Sequence, residues 1–416
     1  MAGNAVGSMA EAHAAIARIL TQNIVPFWFA RLREPDGRGY RLNHDSQGAW
    51  KGPSPKRLVK QARVLWFLSR LQQSSMAPPE CEALAAEGFA FLRHHLWDSE
   101  HGGFYWEVDN AGAQPTMPDK HVYGQAHALY GVAQYALMSG EPAARRFADE
   151  IFNVIETRFH DSAHDGYHEF FCRDWKPCPA KKPGYIFAPP ELKLLNSHLH
   201  LLEAIVVYDE LSGSPLARRR VLELLDIIGR RMIREPHGAL THEFQRDWTP
   251  LTGEKHDRVS YGHDLEAIYL LIRAQTHADL PPTDVIARCR RLFAHAWRFG
   301  HDERDGGIFS SGPIGQPADD RRKIWWPQAE AALGALELYR VTGEPIYAQA
   351  FLRTIDWIVR RQADWTHGEW HAEISPDGVP RGDKADAWKG PYHNGRAMIE
   401  ALEILDHIRT TPGAAP

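Results

Sequence analysis

Glu100-His-Gly-Gly-Phe-Tyr-Trp106 is a glycine turn held between acidic and aromatic residues, and the chain repeats it. Related stretches stand at Asp165-Gly-Tyr-His-Glu-Phe170, Pro236-His-Gly-Ala-Leu-Thr-His-Glu243, Asp305-Gly-Gly-Ile-Phe309 and Thr366-His-Gly-Glu-Trp-His-Ala-Glu373, with a weaker one at Asp36-Gly-Arg-Gly-Tyr-Arg-Leu42. The spacing is about 62 to 73 residues, and self-similarity at a fixed period marks units that bury their apolar faces by stacking on neighbours. Between the turns, apolar residues recur at three and four positions over 57–72, 81–96, 121–138, 143–158, 193–211, 215–232, 261–276, 283–298, 327–341, 344–362 and 393–409, the period of a helix with one buried face. An N-terminal helix completes six pairs. The predicted fold is all-α: an (α/α)6 barrel, a toroid of six helix pairs with short hairpins such as Gly103-Phe-Tyr-Trp-Glu-Val108 in the connections, forming a single domain over 1–416. An open superhelix of helix pairs is the competing arrangement.

Punctuation supports the helix assignments. Ser139-Gly140, Ser212-Gly213 and Thr342-Gly343 stop helices, and Pro142, Pro215 and Pro345 suit the first turns of the next ones,. The proline-rich segment from Cys172 to Leu192 fits no helix and is expected to loop over one end, and its Lys181-Lys-Pro-Gly-Tyr185 run matches no assignable pattern.

The formal net charge of -5, with 24% charged residues, gives no electrostatic reason to bind nucleic acid or an anionic membrane,. No run approaches the length of a membrane span, and Glu11 and His13 break up the N-terminal apolar stretch that a leader would need,. Cys81, Cys172, Cys178 and Cys289 form no C-x-x-C pair, so reduced thiols and a cytoplasmic location are expected,. The 14 Trp suit both a thick helical core and a sugar-stacking pocket,.

Candidate chemistry falls in one helix of each pair. Asn196 and His200 are four apart and share a face that Glu203 joins, whereas His198 points elsewhere,. His263 and Glu266 are three apart, so the carboxylate could orient the imidazole or a substrate hydroxyl nearby, while Gly262 would admit a ligand near the backbone,. Asp264 is expected to act as a cap or first-turn acid. His393 follows a Gly-Pro turn, and Trp388 precedes it by five residues. Of Trp325 and Trp326, one is expected in the core and the other as a platform for a sugar ring. Arg63 lies in an otherwise apolar stretch, snorkelling or committed to an anion, and Tyr123 adds a hydroxyl. In an α/α toroid alternate helices form the inner ring, so all of these could face one cavity. Histidines beside an arginine suit proton abstraction next to a carbonyl. Glycoside hydrolysis is the rival, with Glu266, Glu330, Glu203 and Asp264 as possible carboxylates. A metal held by His200, His263 and His393, and a non-catalytic sugar-binding toroid, also remain open.

Arg63-Val-Leu-Trp-Phe-Leu-Ser69, Tyr123-Gly-Gln-Ala126, Asn196-Ser-His-Leu-His-Leu-Leu-Glu-Ala204, Ser260-Tyr-Gly-His-Asp-Leu-Glu266, Trp325-Trp-Pro-Gln-Ala-Glu330 and Lys389-Gly-Pro-Tyr-His-Asn394 together resemble the N-acylglucosamine 2-epimerase superfamily, most closely its cellobiose and mannose 2-epimerase branch. The resemblance implies an (α/α)6 barrel that needs no cofactor or metal and acts on a small sugar as a monomer or homodimer. It further implies that His263 and His393 exchange the C2 proton through a cis-enediolate, that His200 assists ring opening, and that Arg63 stabilises the enediolate. Tyr123, Asn196, Glu266, Trp326, Trp388 and Glu330 are then the substrate-binding set. Aldose–ketose isomerases share the scaffold, so that outcome is the alternative.

Overall fold

A computed structural model describes residues 6–36, 38–179, 185–186 and 188–410. Gly37 of the weakest repeat, residues 181–184 of the lysine-rich run and both chain ends lie outside the described residues. Helix α1 (Met9–Ile19) runs on through a π-helical turn, Leu20–Ile24, into Val25–Phe29. The remaining helices are α2 (Leu58–Gln72), α3 (Cys81–Phe91), α4 (Val122–Ser139), α5 (Pro142–Val154), α6 (Leu195–Ser212), α7 (Pro215–Asp226), α8 (Tyr261–His277), α9 (Thr283–Gly300), α10 (Trp325–Thr342), α11 (Pro345–Trp357) and α12 (Tyr392–Thr410). Of the five odd-numbered helices after α1, four (α3, α5, α7 and α11) end in π-helical turns, Leu92–Leu96, Ile155–Phe159, Ile227–Arg231 and Ile358–Gln362, and α9 does not.

The even-numbered helices form the inner ring. Each packs on the next, and α12 closes against α2. Closure excludes the open superhelix, and the fold is an (α/α)6 barrel. Burial separates the two rings: α4 is buried along nearly its whole length, whereas α5 buries one stripe through Ala144, Phe147, Ala148, Ile151 and Phe152. An element buried all round belongs inside, and one with a single apolar stripe covers it. Gly140, Gly213 and Gly343 end inner helices with φ near +65 to +68°, and Pro142, Pro215 and Pro345 start the outer ones, as the sequence indicates,.

The repeated turn is a miniature hairpin latched to the inner ring. Backbone bridges pair Trp97 with Phe104, His160 with Tyr167, His301 with Ile308 and Ala363 with Trp370. A polar side chain of an inner helix then accepts the amide just past the turn. Gln61 takes Tyr40 N–H at 2.7 Å, Gln125 takes Phe104 at 2.9 Å, His198 takes Tyr167 at 3.1 Å, Asp264 takes Leu240 at 3.0 Å and Gln328 takes Ile308 at 2.8 Å. Without these acceptors, a buried amide would stand unpaired at a cost of about 1–3 kcal/mol. Asp264 is therefore a latch rather than a cap, because the turn before α8 delivers an amide to it.

A second layer of polar pairing fixes each turn to the strand leading into an inner helix. Asp98 pairs with Lys120 at 2.9 Å, Asp161 with Lys193 at 3.2 Å, Asp302 with Lys323 at 2.7 Å and Asp364 with Lys384 at 2.8 Å. The unit at Pro236 departs from this pattern and uses an Arg234–Asp257 pair instead.

The cysteines require a correction. Cys172 and Cys178 form a disulfide, while Cys81 and Cys289 are free and buried. A hairpin brings the pair together, with Cys172 N–H donating to Lys176 C=O at 3.0 Å and Phe171 bridged to Pro177. A search for closely spaced cysteines overlooks such a loop. No described helix is long and apolar enough to cross a membrane.

Candidate active site

The latch residue fixes which way each inner helix faces. Two residues along a helix subtend about 200°, so the positions two before and two after a latch share the opposite face. Around Gln125 these are Tyr123 and His127; around His198, Asn196 and His200; around Asp264, Gly262 and Glu266; around Gln328, Trp326 and Glu330. Two residues after Gln61 stands Arg63. In α12, Asn394 donates to Glu369 at 2.7 Å, with Tyr392 and Arg396 flanking it. The latches face outward, and their flanking positions converge on the barrel axis.

A cavity of about 330 Å³ opens there, at the N-terminal ends of the inner helices. Every predicted site residue except Glu330 lines it: Arg63, Tyr123, Asn196, His200, His263, Glu266, Trp326, Trp388 and His393. Trp325 also contributes to its wall, together with Ile186 from the loop after the disulfide. A larger cavity of about 710 Å³ lies at the opposite end, but its arginines are paired with carboxylates. Arg70 there binds Glu400 at 3.1 Å and Glu403 at 2.8 Å, and Arg340 binds Glu337 at 2.7 Å. The smaller cavity is the one that gathers His200, His263 and His393 at its wall, together with Trp326 and Trp388.

The three cavity histidines have different surroundings. His393 is hydrogen-bonded through Nδ1 to Glu330 at 2.7 Å, which leaves Nε2 as its other ring nitrogen,. Glu330 therefore stands behind His393 instead of lining the wall as a substrate ligand. His200 donates from Nδ1 to Glu203 at 2.9 Å. The Nδ1 of His263 makes no hydrogen bond; its ring packs against Trp326 at 4.8 Å and His242 at 5.2 Å. Trp326 also lies 5.6 Å from His393, so the indole is flanked by both imidazoles. Two expectations fail here. Glu266 does not orient His263, because Arg396 draws its carboxylate at 2.9 Å. The space beside Gly262 is filled by Trp326, whose ring would lie 2.5 Å from an added Cβ.

Burial and facing cations set the charge states. Burial, with Arg63 and Arg396 nearby, holds His393 well below the usual imidazole range; burial, with His242 and His200 adjacent, does the same to His263,. Burial pushes Glu330 up to about 8 against the pull of Arg396, with Glu266 adding to the rise. Burial therefore favours the uncharged form of each partner in the Glu330–His393 hydrogen bond,. Burial opposes ionisation of Glu203, but Arg396 and the His200 hydrogen bond outweigh it and keep the carboxylate ionised.

Arg63 is buried, donates to the Tyr123 hydroxyl at 2.9 Å and lies 4.7 Å over the Tyr392 ring, while its Nε has no partner. It is committed to the interior and does not snorkel. Among the described residues, His200, His263 and His393 do not gather their nitrogens around one point; Glu266, Glu330 and His393 do, but Arg396 already binds both of those carboxylates. Sequence reading missed His127, Tyr392 and Arg396. Aligning the repeats on the latch would have found all three, since each sits two positions from a latch or its counterpart.

The family model described as N-acylglucosamine 2-epimerase (GlcNAc 2-epimerase) matches residues 39–397. A cellobiose 2-epimerase of Bacteroides fragilis is 30% identical, with 92% of this chain and 96% of that protein covered. A D-mannose isomerase of Thermobifida fusca is 26% identical over 84% of this chain and 87% of its own length. Among solved structures, the cellobiose 2-epimerase of Spirochaeta thermophila superposes with a TM-score of 0.85 at 31% identity, covering 96% of this chain and 98% of that one.

Proposed function

The chain belongs to the N-acylglucosamine 2-epimerase family of carbohydrate epimerases and isomerases, and from that premise we propose that it inverts C2 of a free reducing aldose, D-mannose or D-glucose or a cellobiose-type disaccharide, with the whole barrel as one catalytic unit. The observation that carries this reading is the pair of imidazoles flanking Trp326, one backed by Glu330 and the other without a partner on Nδ1. Epimerisation needs a base on one face of C2 and an acid on the other. Two imidazoles beside one indole, one without a partner on Nδ1 and one bonded to a Glu330 carboxyl that burial pushes up to about 8, supply a base and a proton reserve,.

In the proposed sequence, His200 helps open the sugar ring. One of His263 and His393 takes the C2 proton; the C–H electron pair forms the C1–C2 double bond, and charge develops on the C1 oxygen. The Arg63 guanidinium stabilises that oxyanion. The other imidazolium then returns a proton to the opposite face of C2, the double-bond electrons form the new C–H bond, and the C1 carbonyl is restored. Tyr123, Asn196 and Glu266 bind hydroxyls. Trp326 and Trp388 offer stacking faces, and the aromatic mouth of Trp388, Trp106 and Tyr185 supports acceptance of a second sugar ring,. Protonation at C1 would instead yield a ketose.

Proton NMR in heavy water, with D-mannose and with cellobiose and chelator-treated protein, tests the reading. The expected product is the C2 epimer carrying deuterium at C2. Ketose formation would assign the isomerase outcome, and no exchange with either sugar would overturn the proposal for both.

A further inference from the structure

Arg396 has no exposed side-chain surface, and nothing in the sugar chemistry above uses it. Its guanidinium lies between the rings of Tyr392, at 4.7 Å, and Tyr269, at 5.7 Å. One terminal nitrogen donates to Glu203 and to the Tyr392 hydroxyl, and the other to Glu266 at 2.9 Å and Glu330 at 2.7 Å. Glu203 holds His200, and Glu330 holds His393. One cation thus stands between the carboxylate partners of two imidazoles on helices α6 and α12.

We propose that Arg396 is a positioning residue that couples the proton states of His200 and His393 through their carboxylates; its effect on turnover rests on the epimerase reading, its effect on the imidazoles does not. The physical basis is shared donors. A planar fork satisfies several carboxylates in fixed directions, so a change in charge on one alters how firmly the others are held. The charged and titratable groups that also face His393 are Arg63 from α2, His200 from α6, and His263 and Glu266 from α8. None of them contacts both Glu203 and Glu330. Arg396 does.

The test is a double-mutant cycle read by imidazole 15N shifts of the full-length protein without sugar, from about pH 9 down to the acid limit of the folded state, since His393 is held well below the usual imidazole range,. Glu203→Gln removes a carboxylate that does not touch His393. It is expected nevertheless to favour the neutral form of His393, displacing its titration by about half a pH unit to lower pH. In an Arg396→Lys background that displacement is expected to vanish, since an ammonium lacks the fork. A displacement of equal size in both backgrounds, or none in either, overturns the coupling. If Arg396→Lys does not fold, Glu266→Gln serves. It shares a donor with Glu330 and is expected to move both His200 and His393; an unmoved His200 overturns the proposal. In the active enzyme, Arg396→Lys is expected to lower kcat about 100-fold with KM within about threefold. A wild-type protein without sugar turnover would refute the proposed function alone, because the NMR measurement needs no substrate.

Discussion

Glu330 divides its two oxygens between two partners, Oε1 toward Nδ1 of His393 at 2.7 Å and Oε2 toward Arg396 at 2.7 Å. An amide has a single acceptor atom. In Glu330→Gln that oxygen is expected to stay with Arg396, turning the NH2 group toward His393 and forcing the proton onto Nε2, where a base needs its lone pair. The variant is expected to remain folded and to lose about 100-fold or more in kcat. Because the equilibrium between epimers is fixed, kcat/KM must fall by the same factor from either side, which initial rates with both epimers check. Near-wild-type rates would reduce Glu330 to packing.

Removal of either proposed proton carrier tests the pair directly. His263→Ala and His393→Ala are each expected to lower kcat by about 10²- to 10⁴-fold, with thermal unfolding little changed. Retention of most of the activity by either one would break the paired assignment.

Arg63 offers a geometric test. Its planar fork reaches Tyr123 while Nε remains without a partner, an arrangement that a point ammonium does not reproduce,. Arg63→Lys is expected to lose about 10²- to 10³-fold in kcat. Kinetics close to wild type would make it a structural residue.

Acid sensitivity follows from buried histidines, one of them the latch His198. Burial depresses His121 and His198 to about 3 and His242 to about 4, from an ordinary value of 6.5. Between those values and 6.5 the unfolded chain binds protons that the folded chain refuses, so stability is complete above about pH 6.5 and declines as pH falls toward 3 to 4. Each group accounts for at most about 2 kcal/mol lost by pH 5. His198 uses Nε2 to accept Tyr167 N–H, the task that glutamine performs at positions 61, 125 and 328. His198→Gln is therefore expected to fold and to lose less stability between pH 7 and 5 than the parent, as measured by thermal unfolding.

Much of this was legible in the sequence because the repeat is punctuated by glycine, proline and acidic turns, whose backbone requirements are local. The inner helices were legible because site residues recur once per unit. Helical phase was legible only in part. It separated His198 from His200 correctly, but the spacing of His263 and Glu266 could not reveal that Arg396, from a helix distant in sequence, holds the carboxylate. The carboxylate partners of Arg396 carried no signal in the sequence, since only closure of the ring surrounds it with acids from three other helices. The disulfide was hidden for a similar reason, its six-residue separation being closed by a hairpin.

The alternation of latch and cavity residues divides labour between opposite sides of one helix. Positions 61, 125, 198, 264 and 328 hold the barrel together, while residues two steps away determine what it does. Cavity residues are thus free to vary as a set without loosening any hairpin, so the scaffold is open to new chemistry along one coordinate and resistant to unfolding along the other. A library confined to the flanking positions should yield mostly folded proteins with altered reactions, whereas the same number of changes at the latches should yield few folded proteins at all.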